Sequence, residues 1–241
     1  FAAVTGTNSV SIQGQGGGEY GVTVFGGSIE VLPPGSSPAS FLEIWGRNLS
    51  GEIAVELDAG FSSSALLRTT GGARIDVFAD NCGCDASALS LLGFSSPLAD
   101  TTSGGGAITF SLYGGSLDID VDGVQVLAGS GGVSFNASRY LTLTDTTVSS
   151  GGPVRLRGDS VALLDSTSIT SGATGDAIVI AGGSSSYMFD FFNTAGSGAL
   201  FTPNGRWIVF ADTFLSEGYF DGGLPYDFKR YDASFGDWRS D

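Results

Sequence analysis

The chain has 241 residues, with 10 Lys and Arg against 25 Asp and Glu, no histidine, and a formal net charge of −15. At 41% hydrophobic and 15% charged residues it has the composition of a folded protein, with enough chain to bury a core in one large domain or two small ones. The missing histidine removes every Ser-His, Cys-His and His-zinc mechanism. The 39 glycines lack the period of collagen, and the acidic balance argues against nucleic acid or anionic lipid as a partner. No run has helical spacing, and none approaches the roughly 18 apolar residues of a membrane span, so the chain reads as all-β without membrane insertion. It starts at Phe1 with no basic and then apolar leader, and reads as a mature chain or an excised fragment.

In chain order, Val10-x-Ile12 and Val22-x-Val24 within residues 1–27 read as a first turn of strands. Each later glycine cluster precedes a short alternating apolar strand. These strands are Ile29-x-Val31, Ile53-x-Val55-x-Leu57, Ile75-x-Val77, Ile108-x-Phe110, Val133-x-Phe135, Val154-x-Leu156 and Ile178-x-Ile180. Starts at 28, 52, 73, 107, 133, 153 and about 177 give steps of 24, 21, 34, 26, 20 and about 24. The longest step reads as an insertion, with Asp80 to Asp85 and Leu89 to Pro97 projecting as a loop near 80–100.

The later repeats resolve into three strands each. Val133-x-Phe135, Leu141-x-Leu143 and Val148 form one set. Val154-x-Leu156, Val161-x-Leu163 and Ile169 form the next, and the displacement from the first set is nearly the same for all three strands. A coil accommodates this spacing: each strand stacks in parallel on its counterpart one turn later and buries alternate side chains. The expectation is a right-handed parallel β-helix over residues 1–185, with Leu143, Val154, Leu156, Leu163 and Ile178 inside. A β-sandwich is the rival, but sandwiches do not repeat their strand spacing. Beyond residue 186 the rhythm stops and aromatic residues crowd in. Residues 186–241 therefore read as a C-terminal cap or connector, with Trp207, Phe210, Tyr226, Phe228, Tyr231 and Trp238 as its anchors. An aromatic ligand platform is the alternative role.

Glycine-punctuated coils such as Gly-Gly-Pro-Val-Arg-Leu-Arg-Gly-Asp at 151–159 run into Ala199-Leu-Phe-Thr-Pro-Asn-Gly-Arg-Trp-Ile-Val-Phe210 and Gly222-Gly-Leu-Pro-Tyr-Asp-Phe-Lys-Arg-Tyr231. This combination resembles the filamentous-haemagglutinin-like exoproteins of Gram-negative bacteria, most specifically over 199–231. The resemblance implies a right-handed β-helix shaft, export through an outer-membrane partner by two-partner secretion, and a closing segment of the Pro-Asn-Gly-Arg-Trp type. The Asn-Pro-Asn motifs of that family's secretion domain do not occur in the chain, which would make it an interior or C-terminal piece.

The sharpest acidic cluster is Asp118-x-Asp120-x-Asp122. Residues two apart in a strand share a side, so three carboxylates would line one outer ridge. That ridge could hold calcium or form the acidic cleft of a polysaccharide lyase or hydrolase. Alternatively, the three are the solvent-facing partners of Leu117-x-Ile119-x-Val121. Cys82-Gly83-Cys84 lacks the further ligands of a metal site and the Cys-x-x-Cys of a redox helix. A tight disulfide in an exported protein fits best, with two free thiols as the alternative. Thr142 and Thr144 face outward together, but Arg155, Arg157, Ala162 and Leu164 stand at comparable positions, so no threonine plane of the ice-binding kind is built. Asn48-Leu-Ser50 and Asn136-Ala-Ser138 read as corner asparagines.

These features lead to the expectation of a non-catalytic, extracellular shaft segment at the cell surface or secreted, with a glycan or protein receptor and no resident cofactor, calcium on the Asp118, Asp120 and Asp122 ridge being the alternative. The aromatic tail either joins the N-terminal turn of a neighbour, giving head-to-tail fibres, or folds back on its own last turn and leaves a monomer. The alternative is a β-helix enzyme acting on polysaccharide through Asp118, Asp120 or Asp122.

Overall fold

The computed structural model describes residues 3–6, 9–17, 20–32, 40–49, 53–60, 65–81, 86–114, 117–183, 190–211 and 219–225. Among them there is no helix. Twenty-two strands form a sheet of 14 and a sheet of 8, and every pairing is parallel.

The strands fall into three columns. The first column is the 8-stranded sheet: Ser9–Gly16, Phe41–Asn48, Arg74–Asn81, Ile108–Gly114, Val133–Asn136, Val154–Arg157, Gly175–Ala181 and Gly205–Phe210. The second stacks Tyr20–Phe25, Ile53–Asp58, the front halves of Ala86–Asp100 and Leu117–Ala128, then Tyr140–Thr144, Ser160–Leu164, Phe191–Asn193 and Tyr219–Phe220. The third stacks Ala3–Gly6, Ser28–Val31, Leu67–Thr69, the back halves of the same two long strands, Thr147–Ser150, Ser168–Ser171 and Leu200–Phe201. The chain visits the columns in rotation, an order compatible with a parallel β-helix or solenoid.

Period-two patterning dictates which side chains fill the interior. One inner row of the first column reads Ile12, Ile44, Val77, Phe110, Phe135, Leu156, Ile180 and Val209, each paired with the next. Within it the Phe110 and Phe135 rings stack at 4.8 Å between centroids, with planes 18° apart. Val22, Val55, Leu89, Ile119, Leu141, Val161 and Phe191 make the matching row of the second column. The five residues expected inside, Leu143, Val154, Leu156, Leu163 and Ile178, are all buried. The shared displacement of the later repeats matches the observed register: Val133 pairs with Val154, Leu141 with Val161 and Val148 with Ile169.

Three expectations need correction. First, the glycine-marked strands do not form a single stack: Ile29 lies in the third column, Ile53 in the second and Ile75 in the first. Glycine clusters mark every corner alike, so the glycine rhythm cannot tell one column from another. The true spacing is read from the row Val10, Leu42, Ile75, Ile108, Val133, Val154, Ile178 and Trp207. Along it the early passes, Val10 to Ile108, are uniformly long, and the shortest pass runs from Val133 to Val154. The longest glycine step is thus the ordinary length of an early pass. Second, Leu89 to Pro97 do not project as a loop. They belong to the strand Ala86–Asp100, with Leu89 and Leu91 buried between Val55 and Leu57 on one side and Ile119 and Val121 on the other. Third, the composition break at 186 is no break in pairing. Phe191 stacks on Val161, Leu200 on Ile169 and Trp207 on Ile178, so aromatic and aliphatic residues occupy the same inner rows.

The corners impose their own chemistry. Between the third and first columns, the pairings place Thr69, Thr101, Ala128, Ser150 and Ser171 in one row. The Thr69 hydroxyl donates to the Ala73 carbonyl at 2.6 Å, that of Thr101 to Gly106 at 2.6 Å, and that of Ser171 to Gly152 at 2.7 Å. Each small hydroxyl therefore satisfies a carbonyl that the bend removes from the ladder. Gly152 sits in this corner because a Cβ there would lie 2.2 Å from the Ser130 carbonyl oxygen.

Leu156→Ala should lower the free energy of unfolding by about 2–5 kcal/mol, as for other fully buried leucines. Gly152→Ala should cost about 1–3 kcal/mol through overpacking. Urea unfolding of both variants checks the inward assignment and the corner separately.

Candidate functional site

In Leu117–Ala128, Leu117, Ile119 and Val121 turn into the core, so the alternation puts Asp118, Asp120 and Asp122 on the outer side of the second column. Their surroundings then diverge. Asp118 lies one row from Arg139, which binds it through both branches of its fork, Nε to Oδ1 and Nη2 to Oδ2 at 2.7 Å each. The Tyr140 backbone N–H also donates to Oδ1 at 3.1 Å, and the guanidinium lies 4.9 Å from the centroid of the Tyr140 ring. Both side chains are nearly buried, at 10% exposure for Arg139 and 12% for Asp118. Asp120 accepts a hydrogen bond from the Ser87 hydroxyl on the preceding row. Burial pushes its carboxyl above the ordinary 3.8 and Asp118 adds to the rise, while Ser87 and Arg139 act in the opposite sense. Asp122 is exposed.

The expected calcium ridge is therefore not assembled. Among the described residues no group of three His, Cys, Asp or Glu side chains is placed to hold a metal ion. The physical reason is that Asp118 holds Arg139 through both oxygens, so its charge is already matched by a guanidinium. The same commitment weakens a paired-carboxylate reaction, which needs two carboxylates open to substrate.

The remaining expected residues divide. Cys82, Cys84, Tyr226, Phe228, Tyr231 and Trp238 lie outside the described residues. Trp207 is half-buried and packs against the main core. Phe210, three positions on, is buried in a separate small cluster with Val179, Ala181 and Ile208. Strand alternation sends the two rings to opposite sides of the sheet.

A different cluster stands out on the outer side of the first column. Trp45 pairs with Phe78, and Tyr113 lies on the next row, two positions further along. The Phe78 and Tyr113 rings meet at 5.5 Å between centroids and 59° between planes. Trp45 is 42% exposed and Tyr113 55%. Beside them Arg47 Nε reaches Asp80 Oδ2 at 3.2 Å, and Arg74 lies over the Phe41 ring at 5.2 Å while its Nε holds Asp76 Oδ2 at 2.5 Å. Sequence reasoning missed this shelf. The signal was available: Phe41-Leu-Glu-Ile-Trp45 and Arg74-Ile-Asp-Val-Phe78 share one alternation, and aligning them puts Trp45 and Phe78 side by side.

Asp118→Asn should destabilise the fold by about 3–5 kcal/mol, because it leaves Arg139 buried without a counter-charge. Asp120→Asn should do the opposite. The folded-state pKa of Asp120 is raised, so the fold loses stability as pH rises through that range and carries no such penalty well below 3.8. The variant should be more stable than the parent at pH 7, with the difference vanishing under acid, as read by urea unfolding across pH. No family model, curated protein or solved structure matches the chain.

Proposed function

We infer that the chain is a segment of a right-handed parallel β-solenoid shaft, non-catalytic, structural and adhesive, belonging to a secreted bacterial surface protein. The observation that carries this reading is the continuity of the three strand columns, eight strands deep, with stacked apolar rows inside. At about 4.8 Å per row, eight rows make a rod about 34 Å long. Such a tube gives reach and stiffness, and its outer side chains are free to make contacts. The right hand follows the general preference of parallel crossover connections. Export by two-partner secretion and an extracellular location rest on the likeness of residues 199–231 to filamentous-haemagglutinin-like exoproteins. An aromatic cap built from the same region belongs to that reading.

Parallel columns lengthen by adding one strand to each, so head-to-tail contact between copies is the natural mode of self-association. A charge of −15 on every copy opposes it, which makes association salt-dependent.

Small-angle scattering should give the cross-section of a rod, and no turnover should be detected on neutral or acidic polysaccharides with or without calcium. Turnover abolished by Asp120→Asn or Asp122→Asn would replace this reading with the polysaccharide-active enzyme. Sedimentation at rising salt should show head-to-tail association strengthening as the charge is screened.

A further inference from the structure

We propose that the outer side of the first column carries a binding site for an extended neutral glycan, built on Trp45, Phe78 and Tyr113. The inference rests on the adhesive part of the reading above and names its surface and its ligand class.

Three adjacent rows contribute one ring each, so the shelf runs about 10 Å across the strands. That length suits a short stretch of linked sugar rings. Among the described residues the three rings lie on one side of the sheet, across neighbouring strands. Aromatic faces take up the C–H faces of pyranose rings, as they do other apolar surface, while the sugar hydroxyls need polar partners at the rim. Those partners are at hand. Gln13 is in register with Trp45, and Ser111 with Phe78. The Arg47–Asp80 pair borders the rings and offers both donors and acceptors. Two exposed aromatic rings and a half-buried one, rimmed by polar groups, make a surface of the kind that marks an interaction site.

Charge selects the occupant. Of the carboxylates nearest the shelf, Asp80 is matched by Arg47 and Asp76 by Arg74, while Glu43, in register with Asp76, accepts a hydrogen bond from the Ser11 hydroxyl and adds to the repulsion of an acidic chain. Both cations beside the rings are thereby engaged and do not draw an acidic polysaccharide, and the −15 of the whole chain repels one. A second copy of the chain brings the same −15 and meets the same repulsion. A neutral glycan meets neither cost.

The test uses the full chain over immobilised neutral oligosaccharides, namely β-1,4-glucan, β-1,3-glucan, mannan and chitin series, with oligogalacturonate as the acidic probe. Binding to at least one neutral series is expected, with tryptophan fluorescence changing on titration. Trp45→Ala with Tyr113→Ala should weaken binding at least tenfold in a variant that still unfolds cooperatively and keeps the rod cross-section of the parent. Trp45→Tyr should retain binding, since it keeps a flat ring. The proposal is overturned if no neutral series binds, if the double variant binds as the parent does, or if oligogalacturonate is preferred. It is equally overturned if sedimentation shows the shelf joining two copies in a dimer that the double variant abolishes. The rod cross-section from scattering is measured on the same samples, so loss of the glycan site and loss of the shaft reading are told apart.

Discussion

Parallel in-register stacking is the constraint on which the rest of this molecule depends. Each strand is hydrogen-bonded to the strand one pass earlier and one pass later, so a side chain that points inward sits on the inward side chain below it. The row from Ile12 through Phe110 and Phe135 to Val209 shows the consequence. Chemistry inside is uniform because each residue sees nearly the same neighbours as the last. Pass length is not constrained in the same way. It shortens between Leu42–Ile75 and Val133–Val154 and lengthens again by Ile178–Trp207, while the register shifts only locally, within Leu117–Ala128 and between Asp176 and Ile178. Surplus chain is taken up at the corners and in longer strands.

Corners limit the fold more than strands do. A bend takes backbone groups out of the ladder, and a buried bend must satisfy them locally. The buried hydroxyls of Thr69, Thr101 and Ser171 do so at one corner. At the corner between the second and third columns, Asp145 and Asp165 adopt left-handed conformations with φ of 47° and 53°. The Ser166 N–H donates to Asp145 Oδ1 at 3.2 Å, tying one pass to the next. Aspartate tolerates this region better than most residues, because its short side chain bonds locally. Part of the acidic content is therefore structural.

The outer surface escapes both constraints, and there the side chains diverge from row to row. Asp118 is neutralised by Arg139, Asp120 is pressed toward its protonated form by burial, and Asp122 meets water, although the three alternate along one strand. On the first column the outer positions change from the aromatic shelf at Trp45, Phe78 and Tyr113 to Arg155 and Arg157, and then to the apolar patch of Val179 and Phe210. A fold whose interior is set by repetition leaves its exterior free to carry function.

Alternation of apolar and polar residues settled the all-β class, the inward set and the register of the later passes, since period two and equal displacement are properties of sequence alone. The outward side of Asp118, Asp120 and Asp122 was legible for the same reason. Column identity was not, because a glycine corner looks the same whichever two columns it joins. Nor was the fate of Leu89 to Pro97, whose burial depends on neighbours a full pass away on either side. The Asp118–Arg139 pair and the Trp45–Phe78–Tyr113 shelf likewise join residues that belong to successive passes and are remote along the chain. Only the stacking of those passes gives such separations meaning, and it is tertiary structure that decides them.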